Sequence, residues 1–268
     1  MHFLKLFLLS GLSGLMTVPL GACSRRPAAS GMGACAAAAS HHADVAQQPK
    51  AEADRELAHW RAGTVVADSV VRRVGRERCF RICPIDDATF RRMQGRSYKE
   101  GCPVPRSDLR LLHVLHRNER GQTQLGELVC HRDVAADLVS IFRQLYEAGY
   151  VVSRMVLVDD YGADDERSMT ANNTTCFNFR AVAGTKVLSK HSLGRAVDLN
   201  PLRNPMVKRG ADGRMRVSPK AGNAYADRSR RFAQRIDRSD LAYRLFTAHG
   251  FRWGGGWRSL KDYQHFEK

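Results

Sequence analysis

The clearest periodicity in the chain runs from Asp133 to Ala148. There Val134, Leu138, Ile141, Phe142 and Leu145 recur at intervals of three and four and fall on one face of a helix. Asp133 at the start and Gly149 just beyond the end supply the expected punctuation. Tyr150–Val158 follows as a run of β-branched residues and predicts a strand. Gln124–Cys130 predicts a shorter strand, and Asp87–Met93 a short helix closed by Gly95. Ser239–His249 predicts a further helix, with Ser239 as its cap and Gly250 at its end. Between these segments lies a stretch rich in Gly, Asn and Pro that holds the unusual polar residues. Helical and strand patterns do not alternate regularly. The predicted class is therefore α+β, a small central antiparallel sheet with flanking helices, rather than a doubly wound sheet.

The pattern fails before residue 59. Residues 1–23 read as a signal segment: Met1–Lys5 is weakly basic, Leu6–Leu20 is mostly apolar and too short to span a bilayer, and Leu20-Gly21-Ala22-Cys23 closes it. Those four residues resemble a bacterial lipobox, in which the cysteine is lipidated. Residues 24–58 read as a flexible tether, rich in Ala, Ser, Pro and Gln and almost devoid of large apolar side chains. His41 and His42 sit in this tether and are read as inert. Residues 59–268 form the expected folded domain. The expected place is the bacterial cell envelope on the periplasmic side, exported and lipid-anchored through Cys23; an ordinary secretory signal with a chance cysteine is the alternative.

Composition adds two constraints. The 43% of hydrophobic residues suffices for a core, whereas 43 Lys and Arg against 27 Asp and Glu leave a net charge of +16. That balance favours polyanions. The cations are scattered and no nucleic-acid-binding motif accompanies them, so no nucleic-acid partner is expected. Beyond Cys23 there are Cys35, Cys79, Cys83, Cys102, Cys130 and Cys176, with no CxxC pair. A structural zinc cluster is thereby disfavoured, and export would permit one or two disulfides among Cys79, Cys83, Cys102 and Cys130.

The chemistry concentrates in two places. In Ser189–Asn200 (SKHSLGRAVDLN), His191 and Asp198 flank a turn-permitting Gly194, and Asp198 sits among Ala196, Val197 and Leu199. A carboxylate in an apolar strand needs a compensating cation or donor. Catalytic zinc commonly takes three protein ligands and keeps a fourth position for water. Near the C-terminus, Asp262-Tyr263-Gln264-His265 follows Trp253-Gly254-Gly255-Gly256-Trp257 and offers an imidazole three residues after a carboxylate. By spacing alone, core histidines explain HxxxxxxD with a distant DxxH about as well as a metal site does.

The text SKHSLGRAVDLNPLRNP, with GFRWGGGWRSLKDYQHFEK downstream, resembles the D-alanyl-D-alanine carboxypeptidase-like metallopeptidases, a family that includes L-alanyl-D-glutamate endopeptidases. The family pattern SxHxxGxAxD is matched by Ser189, His191, Gly194, Ala196 and Asp198, and its carboxylate-x-x-His by Asp262 and His265. Asp159–Arg180 resembles the segment that precedes them, so the similarity is taken to extend over Phe80–Lys268. The resemblance implies one Zn2+ per chain, on the sheet, held by His191, Asp198 and His265, with Asp262 as general base. It also implies an arginine facing the oxyanion, for which Arg180 is chosen over Arg154. The implied substrates are peptidoglycan stem peptides, cut by a monomer. A zinc-containing wall-binding protein without catalysis is the alternative, and the presence of Asp262 argues against it.

Other residues stay open. Trp253 and Trp257 either floor a groove or pack in the core. His249 is expected to meet the carbonyls at a helix end. Glu267 either orients His265 through a hydrogen bond or is solvated. The glycosylation-like triplet Asn172-Asn173-Thr174 is given no weight.

Overall fold

A computed structural model describes residues 61–182, 185 and 187–268. The signal segment, the tether, His41, His42 and Cys35 lie outside the described residues. The helices are α1 (Asp68–Val74), α2 (Asp87–Met93), α3 (Arg132–Glu147), α4 (Asp165–Thr170) and α5 (Leu241–Ala248). The strands form three small antiparallel sheets of three strands each. The first runs β1 (Arg81–Pro84), β2 (Leu109–Arg117), β3 (Thr123–His131). The second has the order β4 (Ala196–Asp198), β9 (His265–Glu267), β7 (Arg252–Trp253). The third has the order β6 (Met215–Ser218), β5 (Met206–Arg209), β8 (Lys261–Asp262). The class is α+β, with the expected sheet divided into three.

Helix α3 is the spine of the fold. All five residues of its predicted face are buried, and it lies against β2, β3 and α5 in one core. That core reaches the second sheet through Phe266, which is fully buried and stacked on Phe246 at 4.2 Å between ring centres. Alternation along β9 then turns His265 and Glu267 to the opposite face from Phe266. The core thus fixes the strand, and the strand presents the imidazole.

Three expectations need correction. Tyr150–Val158 is extended but forms no ladder, only isolated bridges at Val151 and Arg154. Buried amides stand in for a neighbouring strand: the Ser153 N–H donates to Asn200 Oδ1 at 2.9 Å and the Val156 N–H to Asn173 Oδ1 at 2.9 Å. The last helix is capped by Asp240, whose carboxylate accepts from the Ala242 N–H at 2.8 Å, while Ser239 donates to Asp237 instead. The cysteines from Cys79 to Cys176 are free thiols rather than disulfides. Cys79 and Cys130 are fully buried in the main core, Cys79 donating to the Gly75 carbonyl, while Cys83 and Cys102 pack against a second core.

Candidate metal centre

Asp198 and His265 are neighbours by register. β4 and β9 pair so that Asp198 lies directly opposite His265, and paired residues of an antiparallel ladder share a face. On its other edge β4 is held by Thr175, which exchanges both backbone hydrogen bonds with Asp198. His191 arrives from a 3-10 turn, Lys190–Leu193. Ser189 caps that turn by accepting from the His191 N–H, and Gly194 ends it in the left-handed region at φ 64°.

The three side chains converge on one point. His191 Nε2 lies 3.2 Å from His265 Nδ1 and 3.2 Å from Asp198 Oδ2, and His265 Nδ1 lies 3.0 Å from Asp198 Oδ1. Tetrahedral zinc with bonds of about 2.0–2.1 Å separates its ligands by about 3.3 Å; the two histidine nitrogens meet that spacing, and with one oxygen of Asp198 the three ligand atoms lie within 4.8 Å of one another. The tautomers fit as well. His191 Nδ1 lies 2.6 Å from the Cys176 carbonyl, which can only accept, so Nδ1 carries the hydrogen and Nε2 turns its lone pair inward. His265 Nε2 likewise faces the Glu267 carboxylate at 3.3 Å, leaving Nδ1 free for a cation. Arg252 holds Glu267 from behind at 2.8 Å. Glu267 is therefore an orienting partner of His265.

The electrostatics agree. Burial works to raise the Asp198 carboxyl, but His191 and His265 overcome it and hold Asp198 far below the usual carboxylate range. Burial works to lower His265, yet its bonds to Asp198 and Glu267 lift it to about 10. Asp198 is therefore ionised, as a carboxylate ligand of a cation must be. Asp262 arrives on β8, and its Oδ1 is buried with no hydrogen-bond partner among the described residues. Burial, with the Asp198 charge adding and His265 opposing, lifts its carboxyl to about 6. Such a group accepts and returns a proton near neutrality. Gly254 makes this approach possible: a Cβ there would stand 2.8 Å from the Asp262 carbonyl and 3.3 Å from His265 Cβ.

Residues 183–268 match the family model described as D-alanyl-D-alanine carboxypeptidase. The stretch from Phe80 to Val182, where the resemblance also reached, lies outside the match, and no curated protein or solved structure among those compared matches the chain. The matched segment contains all three metal candidates and Asp262, and the match supports a peptidase of the D-Ala-D-Ala carboxypeptidase kind.

The two arginines differ in placement. Arg180 is tied by its backbone to the turn that carries His191: its N–H and the Ser192 hydroxyl lie 2.8 Å apart, and its carbonyl accepts from that hydroxyl and from the Ser189 N–H. Its guanidinium pairs with Asp165 at the start of α4. Arg154 is exposed and hydrogen-bonds Tyr161. Trp257 stands beside His265 with ring centres 5.2 Å apart, whereas Trp253 packs on Tyr243 and donates to the Tyr263 carbonyl. His249 meets Asp137 at 3.1 Å rather than the helix-end carbonyls. Asn172 and Asn173 are buried. Neither the Cys176 carbonyl nor Asp165 could be picked out from the sequence. A carbonyl belongs to every residue, and Asp165 is one of several acids in its segment.

Proposed function

We propose that the chain is a zinc-dependent peptidase that hydrolyses an amide of peptidoglycan stem peptides. The observation that carries this reading is the meeting of His191 Nε2, Asp198 and His265 Nδ1 within 3.0–3.2 Å of one another. Zinc held by these three residues would supply a Lewis acid for the scissile carbonyl and lower the pKa of the attacking water. Asp262 accepts that water's proton and returns it to the leaving amine. Arg180, anchored to the His191 turn and steadied by Asp165, sets positive charge toward the oxygen on which negative charge develops. Glu267 and the Cys176 carbonyl hold the two imidazoles in the tautomers that bind a cation. The protein acts as a monomer at the cell envelope, anchored to a membrane by a lipid on Cys23, and its basic surface favours carboxylate-rich wall peptides.

Asp262→Asn tests the reading. The variant keeps its zinc, because the three ligands remain, and loses about 10²–10⁴-fold in peptide hydrolysis, because the amide accepts no proton. Metal content and muropeptide products are measured on the same preparations. Wild-type protein that holds zinc yet releases no product from defined muropeptides would refute the proposal.

A further inference from the structure

The chain between β4 and β8 concentrates positive charge. From Arg203 to Arg238 there are eleven Lys and Arg residues against Asp212, Asp227 and Asp237, half of the chain's net +16. In this segment the cations are not scattered. Strand register gives two of them a particular address. Met206 of β5 lies opposite both Asp262 of β8 and Ser218 of β6. Two positions along, Lys208 of β5 lies opposite Arg216 of β6. Alternation puts Lys208 and Arg216 on the same face as Asp262, about 7 Å further along the strand. The face that turns Asp262 toward the histidines therefore also carries a directly opposed pair of cations.

Such a pair is costly to the hairpin itself, because like charges directly opposite each other destabilise a ladder. Both residues are exposed, and neither has an ion-pair partner among the described residues. Asp212 approaches Arg216 beside Gly210, but no ion pair among the described residues offsets this placement. An anion bound between them would.

We infer that Lys208 and Arg216 form an anion subsite for the carboxylate of the residue that leaves when the amide is cut, an inference that rests on the peptidase reading. Both bonds considered for this site, D-Ala-D-Ala and L-Ala-γ-D-Glu, release an amine whose own residue carries a free α-carboxylate. Two cations beside Asp262 recognise that shared group and would not discriminate between the residues bearing it.

The test is equilibrium binding by calorimetry on full-length, zinc-loaded protein carrying Asp262→Asn, so that turnover does not deplete the peptide. The probes are D-Ala-D-Ala, L-Ala-γ-D-Glu and the counterpart of each with the leaving residue's α-carboxylate amidated. The acid forms should bind about tenfold more tightly than the amides, as expected for charge-assisted contacts to two cations. Adding Lys208→Ala with Arg216→Ala should bring acid and amide within about twofold of each other by removing those contacts. Lys208→Glu should abolish the preference while leaving the thermal midpoint unchanged or raised, because it replaces a repulsion with an attraction; loss of fold cannot then explain the result. Equal affinity for acid and amide before these substitutions, or a preference that survives both, overturns the subsite. Hydrolysis by wild-type protein is scored separately. A preference for the acids without cleavage of either peptide would refute the peptidase and keep the subsite, whereas cleavage with equal affinities would do the reverse.

Discussion

Gly194→Ala probes how the His191 turn is docked. A Cβ at Gly194 would lie 2.6 Å from the His131 nitrogen and 3.1 Å from the Cys130 carbonyl carbon, both backbone atoms of β3 that have no side-chain freedom. Relief requires the turn to back away from β3 by several tenths of an ångström or more. That movement weakens the bond from the His131 N–H to the Gly194 carbonyl, now 2.9 Å and worth about 1 kcal/mol. The left-handed φ of 64° adds about 1–2 kcal/mol for any residue with a Cβ. Together these give a loss of about 3 kcal/mol. With a urea slope of about 2 kcal/mol/M, the unfolding midpoint falls by about 1.5 M. Because the displaced turn carries His191, zinc affinity should fall by about 10–100-fold, as when a ligand's support is removed. Gly256→Ala is the control, since a Cβ there meets nothing within 4 Å. Urea titrations of the three proteins and competition with a zinc chelator give both readouts. A Gly194→Ala protein within about 0.5 kcal/mol of wild type, with its zinc affinity intact, would show that the docking argument is wrong, since changes that small mark sites away from any packing constraint.

Further expectations follow from other parts of the molecule. Arg180→Ala should retain zinc and lose about 10²–10³-fold in turnover, whereas Arg154→Ala should stay close to wild type; kinetics on one muropeptide compare them. His116 is almost wholly buried, and burial lowers its imidazole to about 4. The unfolded chain therefore takes up this proton first as pH falls below about 6.5, and about 3 kcal/mol of stability present at neutral pH is lost by pH 4. Chemical denaturation across that range should show a shallower acid slope for His116→Phe than for wild type, and an equal slope would exclude His116 as a source. Cys23→Ser should block incorporation of labelled fatty acid, and wild-type protein that takes up no label would remove the anchor.

The legible parts of the molecule are those in which side-chain chemistry carries the signal. Helix α3 could be read because a buried face repeats at the helical period; His191, Asp198, Asp262 and His265 stood out through the resemblance of their motifs, since their spacing alone suits core histidines as well. The strand expected at Tyr150–Val158 shows the limit. Its β-branched residues do favour extended backbone, but the partners of that backbone are the amides of Asn173 and Asn200, supplied from distant positions that no periodicity marks. The Asp240 cap was missed because Ser239, Asp240 and Asp237 all suit a helix start, and only the fold decides which carboxylate reaches the Ala242 N–H. The pairing of Lys208 with Arg216 belongs to the same class. Each cation is visible in the sequence, but their shared face with Asp262 exists only once the register is set.

Strand β9 sits between β4 and β7, so the middle of that sheet is contributed by residues 265–267. Synthesis runs from the N-terminus, and this strand leaves the ribosome after every other part of its sheet. Until it does, β4 and β7 have no common neighbour, and His191 and Asp198 wait without their third companion. The earlier core around α3 can already be assembling during that interval. The three metal candidates therefore come together only once this strand is in place, after the earlier parts of the sheet. A chain that stopped a few residues short of His265 would lack both the third metal candidate and Phe266, the ring that ties this sheet to the core around α3.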